Sequence, residues 1–483
     1  MPQYSIDSVT VPGAVEGWNN LHGPFGRLPW KQIFQPAIFY ADQGYPVPEM
    51  TGKFWKEFVL TLLRDPESSR VFLRDGKAPA LGEVFRNPDL ARALRLIADS
   101  GPQAFYRGDI AQALLTTSQA LCGTMLAEDL AQFSAEWVQP ISTTYRDWTV
   151  YELPPNGQGM AALEMLNIME TFQPSPDGPL STPKLHKKIE AMKLAYADLG
   201  RYNADPRFVG VPVKGLLSKQ YARERAALID PDKATCARTP AALPSSDTTY
   251  LSVVDKEGNI VSLIQSNYRG FGSGITVRGM GFPLQNRGGL FPLEPAHPNA
   301  LAPRKRPFHT IIPAFMERGD QHIGFGIMGG PNQPLAHAQF VSNVVDYSMN
   351  IQAALESARF TGGAANSCSI LIESRVKSEV RQKLTSMGHL LEVLKEYSST
   401  MGWGQAVLHD AAANINYGGS DGRADGSAEP VGAWYTHRKP NRCFPIASLR
   451  QWCVDYPGRF NPRTFSSYTT AARPAQGLQK FSA

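Results

Sequence analysis

The sequence predicts a mixed α/β protein with a large buried core. Apolar residues at helical steps, such as Leu185, Ile189 and Met192, indicate a long amphipathic helix. Residues 250–254 and 260–266 are rich in β-branched side chains and indicate two strands. The chain has 483 residues, 42% hydrophobic and 19% charged, which is the composition of a globular protein. This length fits several domain-sized units or one large α/β unit.

Helical periodicity, with glycine and proline as stop signals, predicts helices at 30–43, 88–99, 109–119, 127–133, 160–172, 185–199, 335–346, 349–359 and 376–387. Strand-like stretches outside the two above lie at 145–153, 307–315 and 322–328. Residues 232–246 are polar, contain proline and lack periodicity, so we predict a mobile segment there.

The bulk composition excludes several classes of protein. The formal charge is only +5, and no basic stripe is interleaved with aromatic residues, which argues against a nucleic-acid partner. No run of about 18 apolar residues occurs, so we predict no membrane span. The N-terminus lacks the basic and apolar regions of a signal peptide. That absence favours the cytoplasm, unless a leader preceded this chain, and the localisation stays open.

The five cysteines are far apart and contain no C-x-x-C pair, which argues against a disulfide framework and against a zinc site: Cys122, Cys236, Cys368, Cys443 and Cys453. No other metal-ligand cluster and no glycine-rich phosphate loop stands out in the sequence. We therefore predict a protein without metal or cofactor.

One tight hairpin carries the candidate chemistry. A three-residue loop, 256–258, with Gly258 in the left-handed position is a favoured connection between two strands. This loop sets the register so that Val253 faces Val261 and Thr248 faces Ser266. Two hydroxyls would then meet at the open end of the hairpin. Such a pair is what a threonine nucleophile held by a neighbour requires.

The same residues resemble a known family. D-T-T-Y-x-S-V-V-D-K-E-G-N at 247–259, followed by G-F-G-S-G at 270–274, is similar to the start of the small subunit of γ-glutamyltranspeptidases. Further matches follow the family's order: V-T-V-P-G-A-V-E-G-W at 9–18, P-P-N-G-Q-G at 154–159, K-R-P at 305–307 and M-G-G at 328–330. Several motifs in one order are far more specific than any one alone.

The resemblance implies an α/β (α+β) fold of the N-terminal-nucleophile hydrolase type, a four-layer αββα sandwich. It also implies a chain that cuts itself into a heterodimer, open to further oligomerisation. Residues 1–247 would be the large-subunit portion, without the family's first segment, and 248–432 the small subunit. Residues 433–483 match nothing in the family. We interpret them as an unrelated, disordered tail, with a shifted reading frame or an appended exon as the alternative.

The resemblance also assigns the catalytic residues. Thr248 would be the nucleophile, and the processing site would be the bond between Asp247 and Thr248. After the cut, the new α-amino group lies beside the hydroxyl, and its ordinary pKa of about 7.7–8.0 suits a general base. Ser266 would support the hydroxyl. Gly329 and Gly330 would direct two backbone N–H groups at the developing oxyanion.

The substrate-binding positions depart from the family pattern. The family holds the γ-glutamyl α-amino group with Asn, Gln and Asp, and the carboxylate with Ser-Ser. The matching positions here, as candidate substrate-binding residues or departures, are Asn267, Tyr268, Arg287, Leu290, His309 and Thr310. Arg287 and Leu290 offer no acceptor for an ammonium group. Arg287 and Arg269 favour a carboxylate-bearing acyl group instead.

Three functional hypotheses follow. The first is a γ-glutamyl hydrolase or transferase that acts on small amides such as glutathione through an acyl-Thr248 intermediate. The second is an acylase for other N-acyl groups, in particular dicarboxylic ones. The third is an inactive, truncated relative that keeps the fold without the chemistry.

Overall fold

The computed structural model describes residues 1–236, 247–363, 368–430 and 480–482. Its helices, in chain order, are Ala14–Phe25 (α1), Trp30–Ile33 (α2), Gln35–Gln43 (α3), Glu49–Glu57 (α4), Val59–Leu62 (α5), Pro66–Phe72 (α6), Pro88–Ser100 (α7), Pro102–Tyr106 (α8), Asp109–Ala120 (α9), Ala127–Ala131 (α10), Gly159–Glu170 (α11), Thr182–Tyr202 (α12), Val213–Leu216 (α13), Lys219–Ala226 (α14), Gln333–Tyr347 (α15), Ile351–Glu356 (α16) and Ser378–Ser386 (α17).

The strands are Tyr45–Pro46 (β1), Val84–Phe85 (β2), Glu136–Val138 (β3), Ile141–Tyr145 (β4), Trp148–Glu152 (β5), Asp247–Val254 (β6), Ile260–Tyr268 (β7), Ala314–Arg318 (β8), Gln321–Met328 (β9), Phe360–Gly362 (β10), Ser369–Glu373 (β11), Leu390–Leu394 (β12), Trp403–Asp410 (β13), Ile415–Ser420 (β14) and Lys480–Ser482 (β15).

A six-stranded antiparallel sheet forms the centre of the molecule, in the order β14-β13-β9-β8-β5-β4. Helices α11 and α15 pack against one face of this sheet, and α12 packs on α11. Their apolar residues and those of the sheet form one buried cluster that includes Met160, Ile189, Phe325 and Phe340. Because glycines occur where other layers come close, the sheet can pack tightly on both faces.

The β6–β7 hairpin lies against the other face of the sheet. A Cβ at Gly326 would lie 2.4 Å from the ring of Tyr250, and one at Gly324 would lie 2.6 Å from Ile260. Only glycine therefore allows this close approach of the two β layers. The N-terminal helices flank the hairpin and share a second core with 275–284, the stretch that follows it. Helices, two stacked β layers and further helices make up the predicted α/β architecture.

Most predicted elements are present, with local corrections. The helix predicted at 30–43 is split into α2 and α3, since Pro36 has no N–H to continue the hydrogen-bond ladder. The strand predicted at 307–315 is wrong for most of its length: β8 begins only at Ala314, and prolines at 307 and 313 cannot donate to a ladder.

The expectation of a mobile segment at 232–246 is wrong for its first residues. The backbone N–H of Ala234 donates to the carbonyl of Met387 at 2.7 Å. Thr235 hydrogen-bonds to the carboxylate of Glu190 through its own backbone N–H and its hydroxyl. Residues 237–246 lie outside the described part of the chain, so the prediction for them stays a prediction.

The cysteine prediction is also corrected. Cys236 and Cys368 form a disulfide with Cα atoms 5.3 Å apart, although 132 residues separate them along the chain. Spacing along the sequence gives no sign of a pair that only the tertiary fold brings together. Cys122 is an exposed free thiol. Cys443 and Cys453 lie outside the described residues.

Two remaining expectations concern the chain ends and membranes. Lys480–Ser482 pair antiparallel with Glu136–Val138. The rest of the tail after residue 430 is outside the described ranges, and the domain boundaries stay predictions. Among the helices of the described residues, none combines the length and the apolar character needed to cross a bilayer.

Candidate active site

The loop of the β6–β7 hairpin fixes which residues face each other. Gly258 adopts a left-handed φ of 80°. The carboxylate of Asp255 accepts hydrogen bonds from the backbone N–H groups of Glu257 at 3.0 Å and Asn259 at 2.8 Å. Thr248 is consequently paired with Ser266, and the predicted register is confirmed along the hairpin.

At the open end, the Thr248 hydroxyl donates to the Ser266 hydroxyl oxygen at 2.7 Å. The backbone N–H of Tyr268 donates to the same oxygen at 2.8 Å. Thr248 is only 7% exposed, so its hydroxyl is held in a largely buried position. The register shifts between Asp247 and Thr248, and Asp247 pairs with Tyr268. The irregularity thus coincides with the predicted processing site.

Gly329 and Gly330 follow the end of β9. Gly329 has a φ of 149° and Gly330 a φ of 58°, both in the region that favours glycine. A Cβ on Gly329 would approach the Cα of Gly402 to 3.2 Å. The packing of Ile260 over Gly324 and of Tyr250 over Gly326 advances along β9 towards this turn. The Thr248–Ser266 end of the hairpin therefore points towards the two glycines.

Gln158 connects this turn to the predicted substrate-binding residues. The sequence alone did not predict a role for it. Its fully buried side-chain amide donates to the carbonyl of Thr310 at 2.6 Å and to that of Gly330 at 2.8 Å. The P-P-N-G-Q-G motif, which contains Gln158, is the feature of the sequence that could have identified it. Asn156, in the same motif, accepts a backbone hydrogen bond from His309 at 2.9 Å and donates to the carbonyl of Pro307 at 2.6 Å.

A buried arginine supports the glycine turn from behind. Arg359 donates to the carbonyls of Met401 at 3.2 Å and Gly402 at 2.9 Å, and it forms an ion pair with Asp421 at 2.7 Å. Burial lowers the pKa of Arg359 to about 10, against the opposing effect of Asp421, so the group stays charged at neutral pH. Since Gly402 packs on Gly329, this arginine positions the turn.

Arg287 is one of the predicted substrate-binding residues, and it contacts two others, Tyr268 and Thr310. It is 3% exposed, and its guanidinium donates to the Thr310 hydroxyl at 3.1 Å. The guanidinium carbon lies 5.6 Å from the centre of the Tyr268 ring. Arg269 lies at the same distance from that ring. The structure thus brings Arg287, Tyr268 and Thr310 together and links them to Gly330 through Gln158.

Positively charged arginines surround Tyr268 and His309. Burial raises the pKa of Tyr268, while the charges of Arg269 and Arg287 act in the opposite direction. Burial lowers the pKa of His309 well below its ordinary value, and the charges of Arg287 and Arg306 lower it further. His309 is therefore neutral near pH 7, and arginine charges act on both groups.

Three further residues that the sequence singled out are Asn267, Leu290 and Asp247. The backbone carbonyl of Asn267 accepts from Asn286 at 3.2 Å, and the buried Asn286 side chain accepts from the Arg269 backbone at 3.2 Å. Leu290 is partly buried, and its carbonyl accepts from Asn299 at 3.0 Å. Only the backbone of Asp247 is described, as part of β6.

One group of side chains has the donor types and spacing of a metal site. His186, Glu190 and His389 are buried, with ligand atoms within 4.8 Å of one another. However, Lys193 forms an ion pair with Glu190 at 2.7 Å and already neutralises the carboxylate. The two imidazoles are hydrogen-bonded to each other at 2.8 Å. A cation here would have to displace both interactions, so the donor set fits a hydrogen-bonded cluster better than a metal ion.

Comparison with known proteins places these features in context. The γ-glutamyltranspeptidase family model matches residues 1–431. The glutathione hydrolase-like YwrD proenzyme of Bacillus subtilis is 36% identical over 433 residues, which are 89% of this chain and 82% of that protein. The oxamate amidohydrolase proenzyme of Klebsiella pneumoniae is 32% identical, over 87% of this chain and 80% of that protein.

Among solved structures, cephalosporin acylase from Bacillus halodurans is similar, with a TM-score of 0.83 and 40% sequence identity. The match covers 88% of this chain and 79% of that one. The fold is therefore that of the N-terminal-nucleophile hydrolases, as predicted.

Proposed function

The chain belongs to the γ-glutamyltranspeptidase family, and from that premise we propose that it is a self-processing threonine amidohydrolase for acyl groups that carry a carboxylate. The observation that carries the proposal is the Thr248–Ser266 hydrogen bond of 2.7 Å, next to a register shift at the Asp247–Thr248 bond. An oriented hydroxyl next to a peptide bond at which the strand pairing shifts is an arrangement that suits self-cleavage.

In the processing step, the Thr248 hydroxyl attacks the carbonyl carbon of Asp247. The C–N bond breaks, an ester forms, and the amine of Thr248 is released and takes up a proton. Water then hydrolyses the ester to give a carboxylate on Asp247 and a free threonine N-terminus. The two products would remain associated as a heterodimer, since β5 of the first product pairs with β8 of the second within the central sheet.

In the catalytic cycle, the free amine of Thr248 accepts the hydroxyl proton as Oγ1 attacks the substrate amide. Its ordinary pKa of about 7.7–8.0 makes it an effective base near neutral pH. The N–H groups of Gly329 and Gly330 would stabilise the tetrahedral oxyanion. The amine then protonates the leaving nitrogen. Water, or an amino acceptor, finally releases the acyl group from Thr248.

The two arginines around Tyr268 favour an acyl group with a terminal carboxylate and no ammonium. Arg287 is a planar donor that suits a carboxylate, and Arg269 adds a second positive charge beside Tyr268. An ammonium group would be repelled by both. Dicarboxylic monoamides, such as glutaryl or succinyl amides, meet these requirements.

A γ-glutamyl amide is the second candidate. The relative from Bacillus subtilis carries the name glutathione hydrolase-like, and a γ-glutamyl group also has a carboxylate that Arg287 could hold. Its ammonium would then need acceptors, which the oxygens of Asn267 and Tyr268 could supply.

A panel of anilides tests the proposal. Purified protein should release the anilide product from glutaryl and succinyl anilides faster than from γ-glutamyl or neutral butyryl anilides. Thr248→Ala should show neither self-cleavage nor turnover, while Thr249→Ala serves as the neighbouring control. Activity that survives in Thr248→Ala would contradict the nucleophile. A preference for γ-glutamyl anilide would select the second candidate, and a correctly folded, cut protein that is inactive on every anilide would contradict both.

A further inference from the structure

The disulfide between Cys236 and Cys368 connects two parts of the chain that lie on opposite sides of the processing site. Cys236 precedes Asp247, and Cys368 follows Thr248. We infer that the two subunits stay covalently joined through this disulfide after self-cleavage. The inference rests on the proposed cut, and it adds a bond between the subunits that the cut itself does not require.

The segment that contains Cys236 is docked on the body of the protein. Thr235 hydrogen-bonds to Glu190 on α12, and Ala234 donates to the carbonyl of Met387 at 2.7 Å. The carbonyl of Asp230 lies 2.8 Å from Nε2 of His186. These contacts hold residues 230–235 against the body of the protein. Cys236 is thus held at a defined place against the second subunit.

The partner cysteine is anchored equally well. Cys368 directly precedes β11, whose neighbours are β10, antiparallel, and β12, parallel. The backbone N–H of Gly363 donates to the carbonyl of Ser369, the residue after Cys368, at 2.7 Å. The disulfide therefore joins a docked segment of the first subunit to a sheet of the second. The link is independent of the hairpin that carries Thr248.

The chemistry of the two events is separate. The disulfide forms when two thiols give up two protons and two electrons to an oxidant of the disulfide class, such as oxidised glutathione. Self-cleavage adds one water across the Asp247–Thr248 bond and leaves the sulfur atoms untouched.

The consequence is a heterodimer whose subunits separate only in the presence of a reductant. The test is denaturing electrophoresis and intact mass of the full chain, with free thiols blocked by alkylation, with and without dithiothreitol. Without reductant we expect one species, heavier than the uncut disulfide-bonded chain by one water. With dithiothreitol we expect two fragments, the second beginning at Thr248. Two separate fragments without reductant would overturn the inference.

Cysteine variants make the test specific. Cys236→Ser and Cys368→Ser should each give two fragments without reductant, whereas Cys122→Ser, which removes an exposed thiol, should behave like the wild type. Fragments that remain linked in Cys236→Ser would assign the bond to another pair and overturn the inference.

Failure of self-cleavage is distinguishable from failure of this inference. A single chain under both conditions, in the wild type as in Thr248→Ala, would contradict the proposed processing. The link can then be tested by replacing residues 241–246 with a protease recognition site in Thr248→Ala and cutting there. One non-reduced species after the protease cut would support the disulfide link, and two would overturn it.

Discussion

The side-chain amide of Gln158 donates a hydrogen bond of 2.8 Å to the carbonyl oxygen of Gly330. The same nitrogen donates to the carbonyl of Thr310, whose hydroxyl accepts from Arg287. One buried amide therefore contacts both Gly330, at the proposed oxyanion site, and Thr310, which accepts a hydrogen bond from the Arg287 guanidinium. This arrangement predicts that stabilisation of the tetrahedral intermediate and recognition of the acyl group are coupled.

Replacement of Gln158 should test that coupling. Gln158→Ala leaves two buried carbonyls without this donor, at a cost of about 1–3 kcal/mol each. We expect the kcat of anilide hydrolysis to fall about 10- to 100-fold, because the glycine turn loses its orientation. Anilide release, assayed at fixed times, measures the loss of kcat, and a thermal melt measures the loss of stability. Gln112→Ala, which removes an exposed amide, is the control, and an unchanged kcat in Gln158→Ala would contradict the role.

Ser266 accepts the hydrogen bond from the hydroxyl of Thr248, the proposed nucleophile. Ser266→Ala removes that acceptor and the acceptor for the Tyr268 N–H. We expect self-cleavage to slow about 10- to 100-fold, since a hydrogen bond that orients the attacking group is lost. Ser266→Thr should keep most of the rate. The time course of fragment appearance measures it, with Ser262→Ala as a control on the same strand. Equal rates for Ser266→Ala and wild type would exclude Ser266 from the mechanism.

Arg287 should determine whether the site prefers a negatively charged or a neutral acyl group. Arg287→Gln keeps a hydrogen-bond donor near Thr310 but removes the charge. We expect the KM for glutaryl anilide to rise about 10- to 100-fold, the range of a charge-assisted hydrogen bond worth about 1.5–3 kcal/mol. The KM for butyryl anilide should change little. Arg278→Gln, at an exposed position, is the matched control. Parallel losses on both substrates would indicate a structural role instead.

The lowered pKa of His309 predicts a pH-dependent stability. The folded state holds this imidazole neutral, mainly through burial, whereas the unfolded chain protonates it near its ordinary pKa of about 6.5. Below that value the unfolded state binds more protons. The stability that neutral His309 contributes to the folded state is therefore complete above about pH 6.5. It is lost as the pH falls towards the lowered pKa.

His309→Gln should accordingly reduce the fall in Tm between about pH 7 and about pH 5, which thermal melts at each pH measure. His297→Gln, in a neighbouring loop, should leave that fall unchanged. The acid limb of kcat/KM should also survive in His309→Gln, because the Thr248 amine, with its ordinary pKa of about 7.7–8.0, is the proposed base. Disappearance of that limb would make His309 the titrating base.

Local rules sufficed for the hairpin. A three-residue loop with glycine in the left-handed position permits one register, so the pairing of Thr248 with Ser266 followed from counting residues. The helices α7, α9 and α12 were predictable for a similar reason, since each carries an apolar stripe of helical period. These features depend on residues that are close along the chain.

Other features depend on residues that are far apart. The bonds from Gln158 to Thr310 and Gly330 span more than 150 residues, and no periodicity announces them. The Cys236–Cys368 disulfide is another such case. The resemblance to a family placed Gly329 and Gly330 in the site, but only packing shows that Gly402 and Arg359 lie behind them.

The sequence by itself thus determined the β6–β7 hairpin and its register, because turn geometry and strand alternation act over a few residues. It also determined the order of the family's motifs. The tertiary structure alone decided the cationic surroundings of Tyr268 and His309, the support of the glycine turn and the pairing of the cysteines. Burial, electric field and covalent proximity are properties of groups that folding brings together from distant parts of the chain. In the proposed function, those properties decide which acyl group the site favours.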